Sequence, residues 1–118
     1  MWTWILRSTG RGTFQAPLRL AVPAFAVSVA VGDFNGDAKP DLAVISSGSI
    51  SYDPGSVSVF LGNGDGTFQA PEGFGTNSRR AGAVAVGDFN GDGKLDLAVT
   101  TPAGVSVLIQ TYSFSGFF

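Results

Sequence analysis

A fourteen-residue string occurs twice in this chain, as VGDFNGDAKPDLAV from Val31 and as VGDFNGDGKLDLAV from Val86. The wider segments 29–44 and 84–99 match at 14 of 16 positions, with an offset of 55. Six of the nine acidic residues fall in these strings: Asp33, Asp37 and Asp41, then Asp88, Asp92 and Asp96. Asn35 and Asn90 stand among them. Carboxylates so close repel one another, by roughly 1 kcal/mol per pair at ~4 Å in water and about 4 kcal/mol where the effective dielectric is near 20. A tandem repeat that concentrates like charge in this way implies a cation at each cluster.

The repetition extends beyond the acidic strings. TFQAP at 13–17 returns at 67–71, and SVSVFLG from Ser56 has a counterpart in GVSVLIQ from Gly104. Each unit reads as strand, nine-residue loop, strand, turn, strand, Gly-rich turn, strand. In the complete unit the strands are expected at 27–33, 41–46, 56–61 and 67–70. Runs such as Val27-Ser-Val-Ala-Val alternate β-branched with small residues, and no helical period competes. A repeated four-stranded antiparallel sheet with both faces covered is a propeller blade.

The expected fold class is therefore all-β, an incomplete propeller of about two blades where four to eight are usual. WTWILRSTGRGTFQAP aligns with SVSVFLGNGDGTFQAP. Residues 1–17 thus read as the third and fourth strands of a preceding blade. Residues 18–71 form a complete blade with loop 33–41, and 72–118 a second, incomplete blade with loop 88–96. Trp2 and Trp4 share one face of the opening strand and are expected to pack between blades. The tail QTYSFSGFF departs from the repeat. Its Phe114, Phe117 and Phe118 fit either a makeshift fourth strand or a truncation point.

Composition narrows the chemistry. The chain has no cysteine and no histidine, which removes thiolate and imidazole metal sites, Cys-His nucleophile pairs and any Ser-His-Asp triad. The net charge is −2 and the basic residues are scattered, so nucleic acid is not an expected partner. No apolar run approaches the ~20 residues of a membrane-spanning helix, so membrane insertion is not expected. The opening MWTWILRSTGRG does not read as a secretion signal. GNGDG at 62–66 reads as a hairpin turn rather than a phosphate cradle, because a strand follows it and not a helix. Arg79 and Arg80 read as part of a solvated connection, with contact to an anionic partner as the rival.

Side chains at positions one, three and five of a tight loop can converge on one point. A backbone carbonyl at position seven and a carboxylate at position nine can then close the far side. All are hard oxygen donors, which suit Ca²⁺ with its six to eight ligands at ~2.3–2.6 Å. Mg²⁺ prefers waters in strict octahedral geometry, and zinc prefers nitrogen or sulfur. Gly93 at position six supplies a sharp turn, where the first loop has Ala38. The plainer alternative, NGD and DG as simple hairpin turns, leaves Asp41 and Asp96 without a reason. An EF-hand loop needs an acid at position twelve and flanking helices, and here that position is Val44 or Val99. A parallel β-helix needs tandem glycine-rich nonapeptides, which are absent.

Phe74-Gly75, Gly82-Ala83 and VAVGDFNGDGKLDLAV together resemble the FG-GAP (integrin α-type, or VCBS) propeller repeat, and GNGDGTFQAP is similar to its blade-closing segment. The likeness covers about residues 10–109. It implies that each nine-residue loop joins the first two strands of a blade and binds Ca²⁺, giving two sites. The implied side-chain ligands are Asp33, Asn35, Asp37 and Asp41 in one loop, and Asp88, Asn90, Asp92 and Asp96 in the other. Lys39 and Lys94 would each lend a backbone carbonyl. Family propellers typically have seven blades, so this chain departs from the pattern in length.

The expected function is a calcium-binding repeat module serving extracellular or cell-surface recognition, adhesion or support, without catalysis, toward a protein or carbohydrate ligand. Two other readings stand beside it. One is the non-catalytic propeller portion of a larger secreted hydrolase or lyase. The other is a homo-oligomer in which copies exchange strands through open blade edges.

Overall fold

The computed structural model describes residues 2–23, 25–47, 55–76, 80–102 and 104–110. Arg79, Phe114, Phe117 and Phe118 lie outside these. The described residues form nine strands and no helix: β1 (Trp2–Ile5), β2 (Leu18–Ala21), β3 (Phe25–Gly32), β4 (Asp41–Ser47), β5 (Ser56–Phe60), β6 (Glu72–Gly75), β7 (Val84–Gly87), β8 (Asp96–Thr101) and β9 (Gly104–Leu108). They pair into three antiparallel sheets, β1-β2, β3-β4-β5-β6 and β7-β8-β9. The expected all-β class is thus observed, as consecutive blades that do not close into a ring.

The alternation of β4 explains how the sheets stack. Leu42 and Val44 point to one side, where they meet Phe60 and Val22 with Ile5 and Leu20 of the first sheet. Ala43 and Ile45 point to the other, where they meet Val57 and Val59 together with Leu97 and Val99 of the third sheet. Both faces of β4 are therefore dry. Burying one such aliphatic side chain stabilises by about 1.5–3 kcal/mol. These two cores hold the three sheets in series.

The fourth strand differs from expectation. It is Glu72–Gly75, paired with β5, and not 67–70. The TFQA segment folds back instead as a short hairpin: Asn63 N–H donates to the Thr67 carbonyl (3.0 Å), Gln69 N–H donates to that of Leu61 (2.8 Å), and Gly62 bridges Phe68. Pro71 follows, with no N–H to give to a ladder. Pairing resumes only beyond it, so residues 72–75, assigned from the sequence to the next unit, are hydrogen-bonded into the sheet of β3–β5. The first copy does the same. Ser8 bridges Phe14, Gln15 N–H donates to the Arg7 carbonyl (2.7 Å), and β2 begins after Pro17.

The tryptophans also differ from expectation. Trp2 and Trp4 are 49% and 59% exposed, on the outer face of the first sheet, with the Arg19 guanidinium 4.2 Å from the Trp2 ring centre. No sheet covers that side among the described residues, so they do not pack between blades.

Candidate metal centre

Each nine-residue loop begins where the first strand of its sheet ends and returns into the second. Asp33 organises the first loop from within: Oδ1 accepts the N–H groups of Gly36 (2.8 Å) and Asp37 (3.1 Å), and Oδ2 accepts that of Ala38 (2.8 Å). Asp88 does likewise, accepting from Asp92 (3.1 Å) and Gly93 (2.8 Å). Asp37 and Asp92 accept the N–H groups of Lys39 (3.0 Å) and Lys94 (2.9 Å). The chain is thereby wound around its own carboxylates. At position six, Gly93 has φ of 84°, and Ala38 is forced to 65°, in the left-handed region that disfavours a Cβ.

The ninth residue plays a different part. Asp41 and Asp96 are fully buried, and every oxygen is engaged by backbone. Asp41 Oδ2 accepts Phe34 N–H and Oδ1 accepts Gly62 N–H, both at 2.8 Å. Asp96 Oδ2 accepts Phe89 N–H (2.9 Å) and Oδ1 accepts Gln110 N–H (2.8 Å). Each is a clasp between the loop and the end of the third strand. At Gly62 the approach is so close that a Cβ would overlap the Pro40 carbonyl.

In each loop the three aspartates offer one oxygen apiece within 4.8 Å of one another. Two oxygens on opposite sides of an ion at ~2.4 Å are separated by about that distance, so each triad could hold a metal ion of calcium's size. The electrostatics agree. Asp33 is raised by partial desolvation, but the N–H groups of Ala38, Asp37 and Gly36 outweigh it and hold the carboxyl below its ordinary value. Asp88 is held low by the N–H of Gly93, again against desolvation. Burial pushes Asp41 up, with Asp37 and Asp33 adding repulsion, despite its two N–H donors. A cation beside such a group would favour its charged form.

Asn35 and Asn90 sit at position three of their loops. Asn35 donates to Asp37 (3.3 Å). The Asn90 amide, oriented to satisfy its neighbours, donates to Asp92 (3.0 Å) and Asp88 (3.1 Å). Presenting oxygen to an ion requires a half-turn of each amide. Lys39 and Lys94 stand at position seven. Asp65 is a turn residue, as the sequence implied: its carboxylate accepts from Thr67 N–H (2.9 Å) and from the Thr67 hydroxyl.

Two family models match the chain, the FG-GAP-like repeat over residues 45–99 and the FG-GAP repeat over 25–60. The chain belongs to the FG-GAP repeat family. It is similar to phosphatidylinositol-glycan-specific phospholipase D of Rattus norvegicus, with 34% identity over 87 residues. That match takes in 66% of this chain and 10% of the relative, so the chain spans about a tenth of that protein's length. No solved structure matches significantly.

For an FG-GAP chain, two site residues were not anticipated. Gly62 and Gln110 occupy the same place in their repeats, after SVSVFL and GVSVLI, and both give their backbone N–H to the ninth aspartate. Gln110 does more. It is 6% exposed, and its side-chain amide donates to the carbonyl of Phe34 in the other loop. The available signal was the exchange of glycine for a long amide after the third strand of the repeat.

Proposed function

We propose that this FG-GAP chain is a calcium-binding, non-catalytic repeat module of an extracellular or cell-surface protein, in which the ion is structural and the sheets serve recognition or adhesion. The observation that carries this reading is the convergence of three carboxylates in each of two loops, within 4.8 Å. Oxygen-only donors with flexible geometry favour Ca²⁺ over Mg²⁺ or Zn²⁺. Sites with few carboxylates suit millimolar external calcium better than cytosolic levels. Catalysis has little to work with: the chain has no His or Cys, and its one glutamate, Glu72, lies in β6. The phospholipase relative supports a further possibility, that such repeats form the non-catalytic part of a larger secreted hydrolase.

The test is thermal unfolding in chelator, calcium and magnesium. The midpoint rises in millimolar calcium and much less in magnesium, and Asp37→Ala with Asp92→Ala abolishes the rise. An equal midpoint in calcium and chelator overturns the reading.

A specific observation favours contact with further repeats. Val29 and Val31 are 53% and 61% exposed, on the side of β3 that faces the two-stranded first sheet. Their equivalents Val84 and Val86 pack against the core that contains Ala43, Val57 and Val59. The opposite face of the third sheet, where Val105 and Val107 are the counterparts of Val57 and Val59, is 63% and 52% exposed at these residues and lies open among the described residues. An open face and an open complement read as contacts for another FG-GAP repeat, in a second copy or a longer chain. Among the described residues β9 pairs only with β8, so strand exchange at its outer edge stands beside this contact between sheet faces. Light scattering checks the homo-oligomer: a mass that stays monomeric at all concentrations removes it.

A further inference from the structure

The two loops belong to different sheets, yet a run of buried hydrogen bonds joins them. From the first loop, Phe34 N–H donates to Asp41 Oδ2 (2.8 Å). The carbonyl of the same Phe34 accepts from Gln110 Nε2. Gln110 then gives its backbone N–H to Asp96 Oδ1 (2.8 Å), and Asp96 Oδ2 accepts Phe89 N–H (2.9 Å) in the second loop. Asp41 and Asp96 are 0% exposed, Phe34 2% and Gln110 6%, so water competes little for the links from Asp41 through Gln110 to Asp96, and the Phe89 link is half-buried. Asp33 and Asn35 of the first loop and Gly93 and Lys94 of the second wall the cleft between them, together with Gln110.

We propose that Gln110 couples the two loops, so that a cation held in one raises the affinity of the other. This rests on the calcium reading given above. The ninth aspartate of each loop is both a candidate ligand and the clasp on its loop's backbone. An ion that fixes Asp96 fixes the Gln110 amide hydrogen bonded to it. The Gln110 side chain then orders the Phe34 peptide, whose N–H aligns the Asp41 carboxylate. Ordering done by the first ion need not be repeated for the second, and such coupling is reciprocal by thermodynamic necessity. A buried amide left unpaired is costly, so the run tends to be made or broken as a unit. Gly62, at the place of Gln110 in the preceding repeat, has no side chain with which to extend such a link. Gln110 is thus a positioning residue, acting on the ion sites through Phe34 and Asp96.

The test follows the amide signals of Gly36 and Gly91 in the full chain by NMR during calcium titration. Asp92→Ala disables the second loop. In the wild-type background this weakens calcium binding at Gly36 at least fivefold, the lower end of ordinary site–site coupling. In a Gln110→Met background, which keeps the side-chain length and removes the donor, the same substitution changes it by less than twofold. Equal factors in the two backgrounds, or no change in either, overturn the proposal. A second measurement needs no change at Gln110. In Asp37→Ala, with the first loop disabled, calcium at the second loop slows hydrogen exchange of the Phe34 amide several-fold, and unchanged exchange overturns the coupling. If neither glycine signal moves in the wild type at millimolar calcium, the metal reading itself falls and this inference with it. If both move independently, only the coupling falls.

Discussion

Phe34 and Phe89 hold the same position in two nearly identical strings, yet Phe34 is 2% exposed and Phe89 51%. Val57 and Val59 are 0% and 1% exposed, while their counterparts Val105 and Val107 are 63% and 52%. Nothing in the local sequence separates these pairs. The difference is the neighbour: the third sheet covers one face of the second, and no described sheet covers the far face of the third. In a stacked repeat, local sequence sets which way a side chain points, and the next repeat sets whether pointing there buries it. The interior of each loop, by contrast, is nearly the same in both copies, because it is built from its own backbone.

The first prediction bears on what the copies share. Asp41→Ala and Asp96→Ala each strip two backbone N–H groups of a buried acceptor. At about 1–3 kcal/mol per unsatisfied group, each should cost roughly 3 kcal/mol or more, measured by urea denaturation in chelator. A loss at Asp41 alone would break the equivalence of the clasps. Next, Phe34→Ala should cost about 3–5 kcal/mol and Phe89→Ala under about 0.5 kcal/mol. Equal losses would mean that Phe89 is covered in solution, and would point to association through the third sheet.

Much of this was readable from the residues. Alternation placed β3, β4, β5, β7, β8 and β9, and the spacing of Asp33, Asp37 and Asp41 foretold their convergence, because both are local properties. The fourth strand was misplaced because TFQA alternates as well as a strand does; that Pro71 ends its pairing is visible only once the hairpin register is known. The exposure of Trp2 and Trp4 depends on what covers the sheet, which no stretch of their own strand encodes. The clasp to Gly62 spans 21 residues and the reach of Gln110 to Phe34 spans 76. The first follows from the pairing of β4 with β5 and the second from sheet stacking, and neither leaves a local signature beyond the exchange of Gly62 for Gln110.

Two smaller effects sharpen the loop comparison. Ala38→Gly relieves a residue at φ 65° and should stabilise the first loop by about 1 kcal/mol, seen as tighter calcium binding there; Gly93→Ala should cost the second a similar amount. The smallest is a pH effect in chelator. The folded carboxyls of Asp33 and Asp88 sit below their unfolded value of ~3.9, so the stability they contribute is present above that value and lost as pH falls through the lower folded one. Asp41 is shifted upward, so its ionisation opposes folding, and protonation relieves that cost as pH falls. As pH falls below about 4, the Ala38 and Gly93 amides held by Asp33 and Asp88 should therefore lose protection from hydrogen exchange, corrected for the intrinsic rate, in both loops.

The central claim, that both loops are cation sites, is tested most directly by calorimetric titration of the whole chain with calcium. The account predicts two ions bound per chain, falling to one in either Asp37→Ala or Asp92→Ala. Absence of binding at millimolar calcium, or two ions retained in both variants, would contradict it.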